Sequence, residues 1–110
     1  MDILPTPASL DARLARPGAW WLLKHSRTCP VSAAGRTEFE AFLAAHPGED
    51  AALVVVQDHR PVSDHAAKAL GVTHQTPQAI LVVGGKAAWH ASHDGISRES
   101  LEEARAARAR

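Results

Sequence analysis

Three short apolar runs constrain this chain more than any other feature: "AWWLL" at 19–23, "AALVVV" at 51–56 and "PQAILVV" at 77–83. Each is long enough for a buried strand and too short for a buried helix, so each predicts a strand of a covered sheet. Between the first two, Val31, Ala34, Phe39, Phe42 and Leu43 recur at three- and four-residue steps. That spacing is one apolar face of a helix running from Pro30 until Pro47-Gly48 stops it. Between the second and third runs, Ser63 is placed to cap a short helix with Ala66, Ala67 and Leu70 facing inward and Gly71 as its stop.

Gly84-Gly85 is a two-residue hairpin signal, so "KAAWHAS" should pair antiparallel with the third run. A last helix is expected from Ser97, with Ile96 and Leu101 forming a hydrophobic staple across its cap, and it ends in an Arg/Ala tail. Ser9 to Leu14, between Pro7 and Pro17, can hold a short extra helix at the N-terminus. The expected order is α-β-α-β-α-β-β-α, a βαβ unit followed by a helix, a hairpin and a closing helix. It implies an α/β fold with a central four-stranded mixed sheet flanked by helices, the thioredoxin-like arrangement.

One domain accounts for the whole chain. A length of 110 residues allows a single core that hides roughly 60 to 70% of the surface of the unfolded chain. No repeat or linker divides it, and the thioredoxin-like core is expected over about 18–108. Twelve basic residues balance twelve acidic ones, which leaves no electrostatic footprint for nucleic acid or an anionic membrane. Asp2, Pro5, Pro7 and Asp11 interrupt the first eighteen residues, so no signal peptide is read there, and no later run reaches membrane-spanning length. The lone cysteine, Cys29, cannot close a disulfide within the chain. A soluble, cytoplasmic protein in a reducing compartment is therefore expected.

Cys29 lies in "KHSRTCPVS", between the first strand and the long helix. A helix opening at Pro30 puts Cys29 at the N-cap and the proline at the first helical position, where its missing N–H costs nothing. Unpaired N–H groups and the helix dipole favour a thiolate there. Lys24, His25 and Arg27 are available to add positive charge, and Thr28 adds a polar neighbour. The alternative is a buried structural cysteine, against which the polar flanks argue. Ser32 stands one helical turn on, where a C-x-x-C motif would carry its resolving thiol. Serine cannot become a disulfide partner, so the chemistry must run by a monothiol route in which an outside thiol frees Cys29.

"HQTPQA" supplies a second signal, since thioredoxin folds place a cis proline beside the active cysteine at the start of this strand. There the residue before the proline offers backbone hydrogen bonds to an extended substrate. Thr76-Pro77 is expected to be that bond. "QDHRP", 57–61, ends the second strand on the side where α/β sheets carry their sites. Arg60 could hold a carboxylate of a ligand, or Asp58 and Arg60 could form a loop salt bridge. His90 and His93 in "HASH" would point to opposite faces of a strand, which suits shared metal ligation badly, and no metal site is expected. Trp20, Trp21 and Trp89 are assigned to packing.

With T-C-P-V-S, Q-D-H-R-P, H-Q-T-P-Q-A and W-H-A-S-H in order, the chain from about residue 20 to 104 resembles the monothiol bacilliredoxins of the bacillithiol system. The N-terminal helix is the part that departs from their pattern. The resemblance implies a thioredoxin-like thiol-disulfide oxidoreductase that removes bacillithiol, a small bacterial thiol, from mixed disulfides with client proteins. It implies Cys29 as nucleophile, Ser32 as a non-resolving neighbour, and Thr76 and Pro77 as part of the substrate groove. Bacillithiol would be a thiol co-substrate, with no bound cofactor. A redox sensor, or a non-catalytic binding module of the same fold, is the alternative.

Overall fold

The computed structural model describes residues 1–108; the last two residues of the Arg/Ala tail, Ala109 and Arg110, lie outside the described residues. In chain order the elements are β1 (Asp2–Ile3), α1 (Pro7–Leu14), β2 (Ala19–His25), α2 (Pro30–Ala45), β3 (Ala51–Val55), α3 (Arg60–Leu70), β4 (Gln78–Val83), β5 (Lys86–Ser92) and α4 (Arg98–Arg108). The four expected strands form in the expected order, and β1 adds a fifth, giving a sheet ordered β1-β3-β2-β4-β5. β1 and β2 each pair parallel with β3, while β4 runs antiparallel to both β2 and β5.

Alternation along β2 shows how the sheet divides its helices. Trp20 and Leu22 face α1 and α3 with Leu10, Val62 and Ala66. Trp21 and Leu23 face α2 and α4 with Phe39, Phe42 and Leu101. The Trp21 ring centroid lies 5.0 Å from that of Phe42 at an interplanar angle of 70°, the edge-to-face arrangement aromatic quadrupoles favour. Each such side chain, removed from water on both faces of the sheet, contributes about 1.5–3 kcal/mol. Trp89 is only partly buried against the α2 and α4 side.

The N-terminal helix begins two residues before the expected Ser9, because Thr6 caps it in a reciprocal hydrogen-bonded box with Ser9 and Pro7 sits at the first position. From α1, buried Arg13 reaches Asp2 of β1 at 2.6 Å and Asp50, at the threshold of β3, at 2.7 Å. Its guanidinium also lies 5.2 Å from the Trp20 ring centroid. The N-terminal helix therefore ties the edge strand to the body of the sheet.

Ser63 does not cap α3. The helix starts a turn earlier, at Arg60 after His59, with Pro61 in its first turn, and Ser63 is buried inside it. Proline's suitability for the first turn outcompeted a serine cap three residues on. Gly71 ends α3 in the left-handed conformation, as expected. Gly85, in the β4–β5 turn, has φ +78 and leaves a Cβ only 2.6 Å from the Leu14 carbonyl oxygen, so this position admits glycine alone. Ser97 and Ser100 exchange backbone and hydroxyl hydrogen bonds at the start of α4, and Ile96 and Leu101 are buried in one cluster.

Candidate active site

β2 ends at His25, and four residues carry the chain to Pro30, the first residue of α2. Ser26, Arg27 and Thr28 are clasped by the residues that follow β3. The Gln57 amide donates to Ser26 Oγ at 2.7 Å and to Thr28 Oγ1 at 3.3 Å, and its oxygen accepts the Arg27 N–H at 3.2 Å. The Arg27 guanidinium pairs with Asp58. Asp58 thus does not pair with Arg60; Arg60 bonds Asp64 one turn on, at 3.1 Å. Two parallel strands end side by side here, so the loop after β3 meets the loop after β2, a closer partner for Asp58 than its own helix provides.

Cys29 is the N-cap of α2, in extended conformation, with its side chain partly exposed. The thiol is held below its ordinary pKa, chiefly by the backbone N–H of Ser32, with the Val31 N–H and Ser32 hydroxyl adding to it and partial desolvation opposing. The positive character at the sulfur is that of the helix N-terminus. The expected cationic side chains are engaged elsewhere: Arg27 on Asp58, and Lys24 on the opposite face of the sheet, beside His74. His25 does lie on the α2 side, buried, and burial followed by the charge of Arg36 keeps its pKa below the usual imidazole value. Its Nδ1 is buried with no hydrogen-bond partner among the described residues.

Ser32, one turn beyond Cys29, is fully buried and its Oγ accepts the Ser26 N–H at 3.3 Å. The Thr76-Pro77 bond is cis. Pro77 packs on α2 at Gly35, where a Cβ would stand 3.5 Å from the proline ring. The Pro77 carbonyl accepts the His93 N–H at 3.0 Å. Gly35 lies six residues into the helix that Cys29 caps, so the proline and the thiol share one end of α2. Arg60 opens α3 past the C-terminal end of β3, on the face of the sheet opposite α2, and is more than half exposed.

His90 and His93 are both exposed, with His93 in a single turn of tight helix after β5. Among the described residues, no three histidine, cysteine or carboxylate side chains converge as metal ligands. Gln57, His74 and the buried position of Lys24 went unread in the sequence. Gln57 opens QDHRP and His74 opens HQTPQA, both noted above, but no local spacing marks their partners on the β2–α2 loop, β2 and α3.

The solved structures that this chain is similar to agree on its architecture. One, described as a candidate oxidoreductase with a thioredoxin fold, superposes with a TM-score of 0.88 at 33% identity, over 94% of this chain and 92% of its own. Fasciola hepatica thioredoxin follows at 0.73 and 22% identity, covering 94% of each chain. Malassezia sympodialis thioredoxin gives 0.79 at 9% identity, over 100% of this chain and 91% of that one. The fold is thioredoxin's, with Cys29 at the head of α2, Ser32 in place of a second thiol and a cis proline alongside. The sequence matches the monothiol bacilliredoxin BrxC family over residues 4–101, and with that span of the chain accounted for, the protein belongs to the monothiol bacilliredoxin family.

Proposed function

We propose that this protein is a monothiol oxidoreductase that strips bacillithiol from mixed disulfides with client proteins in the cytoplasm. The observation that carries the reading is a partly exposed cysteine at a helix N-terminus, its pKa lowered by backbone N–H groups, with a buried serine one turn away. In the first step the Cys29 thiolate attacks the bacillithiol sulfur of the client disulfide. The client sulfur leaves with the bonding electron pair, and a Cys29–bacillithiol disulfide remains. In the second step a small external thiolate attacks that disulfide and releases Cys29 as thiolate. Ser32 stabilises the thiolate and, having no second sulfur to offer, leaves the adduct for the external thiol. Thr28 and Pro30 shape the loop and helix start around the sulfur, and His25 is a neutral ring buried on the same face of the sheet. Thr76 and Pro77 line the groove that receives the client, and Arg60 is the group for a carboxylate of the small thiol. The reaction needs bacillithiol as co-substrate and no bound cofactor.

The test is intact mass spectrometry of the protein mixed with a client carrying bacillithiol. A Cys29–bacillithiol adduct should appear as the free client accumulates, and Cys29→Ser should leave the client untouched. A glutathione-carrying client should react more slowly, because a groove shaped to a compact sugar-linked thiol fits a tripeptide less well. Equal rates would indicate a general monothiol oxidoreductase. Transfer limited to one equivalent would indicate a sensor, and none at all a binding module.

A further inference from the structure

Lys24 directly precedes His25 on β2 but leaves the sheet on the α3 side, where it is fully buried. Its Nζ lies 3.3 Å from His74 Nδ1, and Ser63 Oγ lies 3.0 Å from the same nitrogen. The other ring nitrogen, Nε2, is 3.2 Å from Thr76 Oγ1. A lysine amine can donate here, and an ammonium can do nothing else, so Nδ1 is an acceptor and the ring proton sits on Nε2. His74 therefore donates to the Thr76 hydroxyl. The charged groups facing this set come from α3, where Arg60 and Asp64 act on both Lys24 and His74. Burial first, then the charges of Lys24 and Arg60, keep the ring neutral.

We propose that His74 is a positioning residue of the substrate groove, holding Thr76 in place beside the cis proline while Lys24 and Ser63 fix the ring in its Nε2-protonated tautomer. The loop is thereby held from both faces of the sheet. Pro77 rests on Gly35 and accepts from His93 on the α2 side, and Thr76 hangs from His74 on the α3 side. A client strand meeting the backbone of Thr76 would find it already oriented, and preorganisation of that kind is expressed as faster capture. The proposal rests on the groove assigned above and concerns only the step in which a client is captured.

The experiment is single-turnover capture of a peptide whose cysteine carries thionitrobenzoate, compared with alkylation of Cys29 by iodoacetamide across pH. In capture, the Cys29 thiolate attacks the peptide sulfur, a Cys29–peptide disulfide forms, and thionitrobenzoate departs as the coloured thiolate with the electron pair. Thr76→Val and His74→Ala should each slow capture about 3- to 10-fold, the range of one lost hydrogen bond. The pH profile of alkylation should stay unchanged in both, because the thiolate is set from the other face of the sheet. His74→Gln, whose amide N–H can replace Nε2–H, should recover most of the rate, and His74→Ala with Thr76→Val should be no slower than His74→Ala alone. Thr76→Val leaves Lys24, His74 and Ser63 paired, so it reads the proposal even if His74→Ala folds poorly. Unchanged capture in Thr76→Val, a shifted alkylation profile, or multiplying effects in the double variant would overturn it. A wild-type protein that captures this peptide but leaves bacillithiol mixed disulfides alone would instead count against the substrate reading and leave the positioning role standing.

Discussion

Lys24 and His25 are neighbours on β2, both buried, and they face opposite sides of the sheet toward two differently built environments. On the α2 side His25 has a buried Nδ1 with no hydrogen-bond partner among the described residues, and the Cys29 sulfur is served by backbone N–H groups. On the α3 side Lys24 belongs to a chain of side-chain hydrogen bonds through His74 to Thr76. The Cys29 sulfur thus relies on a helix terminus, which cannot titrate, whereas the loop on the α3 side is supported by titratable side chains. Backbone donors hold their state at every working pH. Side-chain networks carry a desolvation cost and become sensitive to pH.

The largest effect that tests this division is a gain of activity. Ser32→Cys places a second thiol on the α2 side, one turn from Cys29. It should form an internal disulfide under mild oxidation and reduce insulin, where the wild-type chain should show almost no such activity. A variant that never closes that disulfide would mean that Cys29 does not work from the head of α2.

On the α3 side the effect is on stability. Burial pushes the Lys24 pKa from an ordinary 10.5 down to about 8, with Asp64 opposing and Arg60 assisting. Below pH 8 the folded and unfolded chains both carry the proton, and the folded state bears the full cost of the buried charge. Between pH 8 and 10.5 the unfolded chain retains a proton that the folded one has lost, so stability rises with pH. Lys24→Met should therefore raise stability at pH 7, by on the order of 2 kcal/mol once the lost hydrogen bond to His74 is set against the relieved buried charge, and abolish the rise above pH 8. Urea unfolding at a series of pH values measures both; a less stable variant would show that the Lys24–His74 contact outweighs its desolvation.

Acid should act through both faces. His25 and His74 are each held below the usual imidazole pKa, first by burial. As pH falls below about 6.5 the unfolded chain takes up protons that the fold refuses, and stability declines. The lowered carboxylates, such as Glu49 and Asp58, add their losses only below about pH 4.5. His25→Leu should flatten the decline between about pH 6.5 and 5 without removing it, since His74 still titrates. Loss of the whole slope would assign it to the α2 side alone.

The smallest effect lies where α2 meets the loop. A Cβ on Gly35 would stand 3.5 Å from Pro77 and 3.7 Å from Ile96 Cδ1, ordinary contact distances. Gly35→Ala should consequently stabilise the protein by about 0.5–1 kcal/mol through helix propensity, read as a higher thermal midpoint. Gly35→Leu should displace Pro77 and slow client capture.

Much of this molecule was legible in short stretches of sequence, because the forces that set those stretches are local. Pro30 after Cys29 determined the helix start and with it the environment of the thiol; Ser32 determined that no intramolecular disulfide forms; Gly84-Gly85 determined the hairpin turn, although a register shift between Leu81 and Val82 moves the pairing by one residue beyond it. Tertiary structure decided what depends on residues distant in the chain. Two residues, Asp2–Ile3, are too few to show any periodicity, and they became a strand only because β3 had a free edge and Arg13 a buried salt link to offer. Asp58 took Arg27 as partner across 31 positions instead of Arg60 across two, since parallel strands bring their ends together. Lys24 was expected to be available as a positive charge near the thiol. Its burial, and the path through His74 to the cis-proline loop, exist because α3 packs over that end of the sheet, an outcome of layer packing that no neighbouring residue encodes.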